Sequence, residues 1–444
     1  MFKSLLRDFE FMSLVKNGTK IFSGRVLTAL LNVVAVTLAA RALSPENFGV
    51  LAIVGNLIIM ITELAALNSW QALIAFGSGA LEKPGLLGRY VRLCGVFDLL
   101  AHLLLAVVAI IAIQMGSSLF DIPEDVQSIS LFFVLPLLFH SVDDTAKGLL
   151  RMFDKFALIA FSTVINAALI VIGSVICIYY DLGLIGFVIV YIASPCVPAL
   201  VILASALRLA SQKKIFAASE REPDPEPLPV WQFFKFLIAT NLNTTVLLVV
   251  RRVDLFIIGA LGGNAAAGVF RIVKLIASLP QLAQGPLFMA VFPQFGRLVS
   301  SGARDKVRRL SLQVTLIVGG ASLAYLIGFA LFGEYAIDAI YGIDFAGAYD
   351  PTLWYLAGLV VVAGGLTLQP ILLSYKRADM ALYTNGAATV AFVLALYGLF
   401  PSFGLVAGGM AFFVYACLWT GLPYLVLQRL NRAIPESEDA AAPK

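Results

Sequence analysis

Apolar stretches recur along almost the whole chain from Ile21, with lengths close to the roughly 20 residues that a helix needs to cross a bilayer. They are continuous and do not alternate with period two, so they read as helices and not as strands of a membrane barrel. Charged residues, prolines and glycines break the pattern into twelve predicted spans. In the first half these cover 18–41, 48–68, 91–115, 128–148, 156–179 and 183–207. In the second half they cover 232–260, 266–293, 310–333, 351–374, 380–400 and 403–427, with the break around Gly262 and Gly263 the least sharply marked. The expected fold class is an all-α polytopic membrane protein, with about 12 transmembrane helices in two six-helix bundles.

Composition agrees. Of 444 residues, 60% are hydrophobic and 13% charged, against about 25% charged in ordinary soluble domains. The opening MFKSLLRDFEFMSLVKNG is mixed and partly amphipathic, and no small-residue cleavage signal follows it. It reads as a cytoplasmic or interfacial lead-in to the first span. Cys94, Cys177, Cys196 and Cys417 all lie in apolar stretches at irregular spacing, a pattern of small buried hydrophobes and not of a disulfide framework or metal cluster.

Lys and Arg concentrate on the cytoplasmic side of membrane proteins. Here 23 of the 31 basic residues fall in one alternating set of loops and tails, while the opposite set holds only Arg41. The two longest loops of that opposite set, MGSSLFDIPEDVQS and GEYAIDAIYGIDFAGAYD, carry acids and no Lys or Arg. Both termini are therefore expected in the cytoplasm, which requires an even number of spans.

One loop, SQKKIFAASEREPDPEPLPV, stands out as a linker, with four prolines after Glu222. It divides the chain into a lead-in (1–17), a first six-helix bundle (18–207), the linker (208–231), a second bundle (232–427) and a tail (428–444). A faint internal echo supports the division. An offset of 219 aligns Gly49 with Gly268, Val50 with Val269 and Ile53 with Ile272, within ARALSPENFGVLAIV and GALGGNAAAGVFRIV. A second echo sets RMFDKFAL against KRADMALY, with Asp154 opposite Asp379. Halves with an even number of spans imply parallel repeats, an arrangement in which one half rocks against the other.

Charges inside spans are expensive and mark function or pairing. Lys20, Lys235 and Arg41 lie near span ends, where their tips reach headgroups. Arg25, Arg251, Arg252, Arg271 and Lys274 lie deeper, and the seventh span adds Asn241, Asn243, Thr244 and Asp254. Such a span should face the protein interior or a wet cavity. Arg251 or Arg252 pairing with Asp254 would serve only to hold helices together. Yet the acids read as available within spans, Glu63, Asp98 and Asp254, are fewer than those five basic groups. Surplus positive charge in a half-wet cavity makes an anion site, and arginine matches phosphate oxygens bidentately. Glu63, Asp98 and His102 are candidates for ion coupling, with Asp98 and His102 one helical turn apart. LPQLAQGPLFMAVFP, with Pro280, Gly285, Pro286 and Pro293, should kink the eighth span, as a gate or as a static bend.

No GxxxxGK loop, HExxH or nucleophile elbow occurs, and no extramembrane segment is large enough for a nucleotide site. The expectation is a transporter and not an enzyme, with no cofactor, no metal site and no nucleic-acid partner.

The early arginine of the first span with LAARALSPENFGVLAIV, and the later RRVDLFIIGALGGNAAAGVFRIVKLI with FPQFGRL downstream, carry a resemblance. The chain resembles the polysaccharide-biosynthesis flippases of the multidrug/oligosaccharidyl-lipid/polysaccharide exporter superfamily. The resemblance implies translocation of an undecaprenyl-diphosphate-linked oligosaccharide repeat unit, as in exopolysaccharide or O-antigen synthesis. The unit would pass from the cytoplasmic to the periplasmic leaflet of a bacterial inner membrane by alternating access. It implies a cationic cavity, a role that falls here on Arg25, Arg252 and either Arg271 or Lys274, with Arg251 a less secure match. It also implies glycosyltransferases and a polymerase of the same pathway as partners. The two further C-terminal spans of the peptidoglycan-precursor flippases have no counterpart in this sequence, which argues against that subgroup. Two alternatives stand beside this reading: a drug or cation antiporter of the same superfamily, and a non-transporting scaffold of a glycan-synthesis complex.

Overall fold

The computed structural model describes residues 9–216, 228–282, 295, 298, 303–375 and 377–433. Among them the chain is built from helices, and no strand occurs. It divides into two compact units, Met1–Thr245 and Val246–Lys444.

The first unit opens with α1 (Phe9–Ala42), which is already helical well before the predicted start of the first span. The Asn47 amide donates to the Ser44 hydroxyl (3.3 Å), and Pro45 takes the first helical position, so α2 (Pro45–Ala65) starts at a defined cap. Asn68 then adopts a left-handed conformation (φ 53°) and the chain re-enters a helix as α3 (Ser69–Gly77). There follow α4 (Pro84–Leu119), α5 (Glu124–Ser130), α6 (Val134–Phe139), α7 (Asp143–Met152), α8 (Phe156–Tyr179), α9 (Gly183–Ala193) and α10 (Cys196–Gln212). The core of this unit gathers Leu73, Leu87, Leu149 and Leu150 with Phe233 and Leu237 from the start of α11 (Val230–Leu248). Phe233 lies against Phe76 (ring centroids 5.3 Å apart) and Phe97 (6.1 Å).

The predicted span 128–148 is not one helix. It is cut into α5, a 3₁₀ turn at Leu131–Phe133, α6 and the start of α7. Pro136 has no amide to continue the ladder, and its carbonyl accepts both the backbone amide and Nδ1 of His140. Apolar content alone suggested a continuous span where local hydrogen bonding breaks it.

In the second unit a π-helical turn (Val249–Val253) leads into α12 (Asp254–Gln281). Then come α13 (Arg304–Ile340), a 3₁₀ segment (Ile343–Ala348), α14 (Tyr349–Gly365), α15 (Leu368–Ser374), α16 (Ala378–Phe403) and α17 (Val406–Ala433). α12 is broken at Gly263, whose φ of 80° and ψ of 177° suit glycine alone. This is the position at which the sequence marked its uncertain boundary. Under the offset of 219, Gly263 corresponds to Ser44, the cap between α1 and α2. The two echoing stretches thus each interrupt their helices at the aligned position. Gly285, Pro286 and Pro293 lie outside the described residues.

Nine helical stretches among the described residues are long and apolar enough to cross a membrane. Their large side chains stand exposed in quantity, as Leu316, Ile317 and Leu331 do on α13, and Leu104 and Met115 on α4. Surfaces of this kind suit lipid and not water. The protein is an all-α polytopic membrane protein.

Lipid offers helices no hydrophobic drive to associate, so close backbone approach at small residues matters. α14 and α17 meet in this way: a Cβ on Gly358 would lie 2.8 Å from a Phe412 ring carbon and 3.2 Å from the Phe413 backbone. Gly358→Val should therefore destabilise the second unit by about 1–3 kcal/mol through overpacking. Gly386→Ala, with nothing within 4 Å of the added carbon, should be neutral or stabilising by up to about 1 kcal/mol. Thermal unfolding of the two purified variants in one detergent compares them directly.

Candidate functional site

The π-helical turn that carries Arg251 and Arg252 is wider than an α-helical one, a form found mostly at functional positions. Its consequence is local. The Leu255 amide, which a regular α-helix bonds to the Arg251 carbonyl, donates to Asp254 Oδ1 (2.9 Å). The Arg251 carbonyl accepts instead from the Lys274 ammonium (3.0 Å), and the same ammonium donates to Asp254 Oδ2.

Asp254 and Lys274 lie on the two limbs of α12, on either side of the Gly263 break, so the pair closes the hairpin that this break creates. The Asp254 side chain is fully buried. Tyr355 of α14 lies beneath the ammonium, its ring centroid 5.8 Å from Nζ, and stacks on Phe412 at 3.8 Å. Arg252 and Arg271, both half-buried, act electrostatically on Lys274, and Arg251 on Tyr355 and Tyr415. One unit therefore gathers Arg251, Arg252, Arg271 and Lys274 around a single buried carboxylate. Such a cluster suits an anion with several oxygens.

Asp254 pairs with Lys274, a residue twenty positions further along the chain. Other predicted positions lie in the first unit. Arg25 projects exposed from α1, and Glu63 is half-buried near the end of α2. Asn241 sits on α11, where its carbonyl and Oδ1 accept from the Thr245 hydroxyl (3.0 and 3.2 Å). The side chains of Asn243 and Thr244 lie outside the described residues. Asp98 is buried in a separate polar site with Ser69 and Thr145. Sequence reasoning missed Ser69, Thr145, Tyr355 and Tyr415. Only the interruption ALNSW, at the end of the second predicted span, hinted at the first of them.

The family described as polysaccharide biosynthesis protein matches residues 14–299. The chain belongs to that family. It is similar to the inner membrane protein YghQ of Escherichia coli (strain K12), 25% identical over 351 residues, which cover 78% of this chain and 98% of that protein. Its fold is similar to that of an inward-facing multidrug-resistance MATE transporter of the MOP superfamily. There the TM-score is 0.74 at 13% identity, covering 94% of this chain and 100% of the other. It is also similar to the lipid II flippase MurJ in an inward closed conformation, with a TM-score of 0.68 at 12% identity over 93% and 87% of the two chains. The chain thus belongs to the polysaccharide-biosynthesis family and shares its fold with these two transporters.

The Asp254–Lys274 pair is testable by itself. Removing either partner alone strands a buried charge and should cost about 3–5 kcal/mol. In Asp254→Asn with Lys274→Met, the combined cost should fall well below the sum of the single costs, because the two groups are in contact. Thermal unfolding of the three variants checks this; additive losses would show that the ion pair is not what holds the hairpin.

Proposed function

We propose that this protein flips a polyprenyl-diphosphate-linked oligosaccharide from the cytoplasmic to the periplasmic leaflet of a bacterial inner membrane. The observation that carries the reading is the convergence of Arg251, Arg252, Arg271 and Lys274 around one buried carboxylate within the second unit. A diphosphate headgroup crossing hydrocarbon unaided would lose its hydration without compensation. Guanidinium groups along a polar path replace that hydration, and their planar forks fit phosphate oxygens. Lys274, tied to Asp254 and to the Arg251 carbonyl, holds the arginine-bearing turn in place; Arg251, Arg252 and Arg271 meet the headgroup, with Arg25 of α1 as a further contact. Asn241, Asn243 and Thr244 supply polar lining.

In this reading twelve spans form two six-helix bundles with both termini in the cytoplasm. The bundles alternate in access around the headgroup while the prenyl tail stays in lipid. Glycosyltransferases and a polymerase of the same pathway are the expected neighbours. The family description and the name of the Escherichia coli relative support the pathway and the membrane. The cationic cluster argues against a cationic drug as substrate.

The test is headgroup translocation in proteoliposomes containing a polyprenyl-diphosphate oligosaccharide. Arg252→Ala should slow flipping by about tenfold to a hundredfold, from the roughly 1.5–3 kcal/mol of a charge-assisted hydrogen bond. Arg252→Lys should recover only part of the rate, since it restores the charge without the fork. Wild-type transport indifferent to both substitutions would remove the headgroup role of Arg252. Absence of transport in the wild type under an imposed ion gradient would favour the antiporter or the scaffold.

A further inference from the structure

The first unit holds a buried acid that the cationic site does not use. Asp98 of α4 is wholly shielded, and its Oδ2 accepts three hydrogen bonds. The Ser69 hydroxyl donates from 2.7 Å, the Thr145 hydroxyl from 2.5 Å and the Thr145 amide from 3.2 Å. Ser69 opens α3 just after the left-handed turn at Asn68, and Thr145 lies in the first turn of α7. One carboxylate oxygen therefore ties three helices together. The other oxygen, Oδ1, is equally buried and has no hydrogen-bond partner among the described residues.

The charges around Asp98 do not neutralise it. No cation stands at ion-pair distance among the described residues, and the charged group acting on it is Asp144, of like sign. Lys147 is paired with Asp143, and Arg151 acts on Asp143 and Asp144 while its guanidinium lies 3.9 Å from the Trp70 ring. On α4 itself, His102 donates from Nδ1 to the Asp98 carbonyl (2.8 Å), which leaves that ring nitrogen unavailable to the carboxylate. The Cys94 thiol faces the Ser69 carbonyl at 3.9 Å, and His140 turns to the Pro136 carbonyl. An ionised Asp98 thus lacks a donor at Oδ1, and a protonated one carries its hydrogen there. Neither state is fully satisfied, a balance that favours exchange over a fixed structural role.

We propose that Asp98 is a proton-binding site, with the proton carried on Oδ1 and exchanged with water, and that its occupancy sets how tightly α3 and α7 are held to α4. A carboxylate accepts hydrogen bonds about twice as strongly as a neutral carbonyl. Uptake of the proton therefore loosens Ser69 and Thr145 from Oδ2, beside the α2–α3 break where the chain is already unwound. Release of the proton tightens the three helices again. Coupling this change to headgroup movement rests on the flippase reading above; the proton site itself does not.

Infrared difference spectra of the purified protein across a pH titration read the group directly. The expected result is a protonated-carboxyl band that appears on acidification and is lost in Asp98→Asn. Thr145→Val should keep the band but move it to higher wavenumber, because the carbonyl loses one donor; this variant also carries the test if Asp98→Asn fails to fold. Hydrogen exchange in segments 69–77 and 143–152, corrected for intrinsic rates, should rise on acidification in the wild type and be pH-independent in Asp98→Asn. A wild-type spectrum without any Asp98-dependent band, or exchange that follows pH equally in both proteins, would overturn the proposal. In proteoliposomes, Asp98→Asn should bind the polyprenyl diphosphate as the wild type does but flip it without response to a pH gradient. If the wild type flips nothing, the flippase reading fails while the infrared result still decides the proton site.

Discussion

The ion pair between Asp254 and Lys274 joins the two limbs of a broken helix, and much of the second unit is arranged around its demands. A carboxylate wholly removed from solvent needs a counter-charge and donors for both oxygens. The ammonium serves Oδ2 and the Leu255 amide serves Oδ1. To free that amide and open the Arg251 carbonyl to the ammonium, the backbone widens into one π-helical turn. To bring Lys274 back alongside Asp254, it reverses at Gly263 in a conformation that suits glycine. Tyr355 then closes the underside. Arg251 and Arg252 lie in the turn that this pair fixes, so the proposed binding groups and the ion pair share the same few residues.

Much of the fold was legible because the bilayer imposes one dominant rule, and long apolar runs obey it. α8 coincides with the span 156–179 read from hydropathy alone, and α4, α13 and α16 enclose theirs, extending a few residues beyond the predicted limits. The Gly262–Gly263 interruption was equally readable, since glycine pairs break helices for a backbone reason visible in one sequence. The stretch 128–148 was not. Its apolar content matches a span, but Pro136 offers no amide to the turn before it, and hydropathy carries no information about where backbone donors are missing. The break at Ser194–Pro195, inside the predicted span 183–207, was likewise not visible in hydropathy.

The candidate site was legible as an inventory of charges and opaque as a set of pairs. Arg251, Arg252, Asp254, Arg271 and Lys274 announce themselves because charge inside a span is rare. Which of them meet depends on a reversal at Gly263 and on helical phase across it, so the pairing of Asp254 with Lys274, twenty residues away, is not visible in the sequence. Ser69 and Thr145 were harder still. Small hydroxyl residues are common in membrane helices, commonly bonded to a carbonyl one turn back, as Thr62 and Ser174 are here. Only tertiary packing shows that these two turn instead toward a carboxylate on a third helix.

The two units share a short sequence echo and differ in the charges they bury. Under the offset of 219, Asp254 corresponds to Ala35 and Lys274 to Gly55. In the first unit both equivalents are small and buried, Gly55 lying within ordinary contact distance of Tyr191. Where the first unit brings helices close through small side chains, the second inserts an ion pair and surrounds it with arginine. The first unit buries Asp98, with no cation at ion-pair distance among the described residues. Had both copies carried the cationic cluster, mutual repulsion would have burdened two cores and the headgroup would have met duplicate sites. Had both copies carried the lone acid, there would be negative charge against an anionic ligand. Cations in one unit and the buried Asp98 in the other would let each respond to its own proposed ligand, a headgroup or a proton, without cancelling the other's charge.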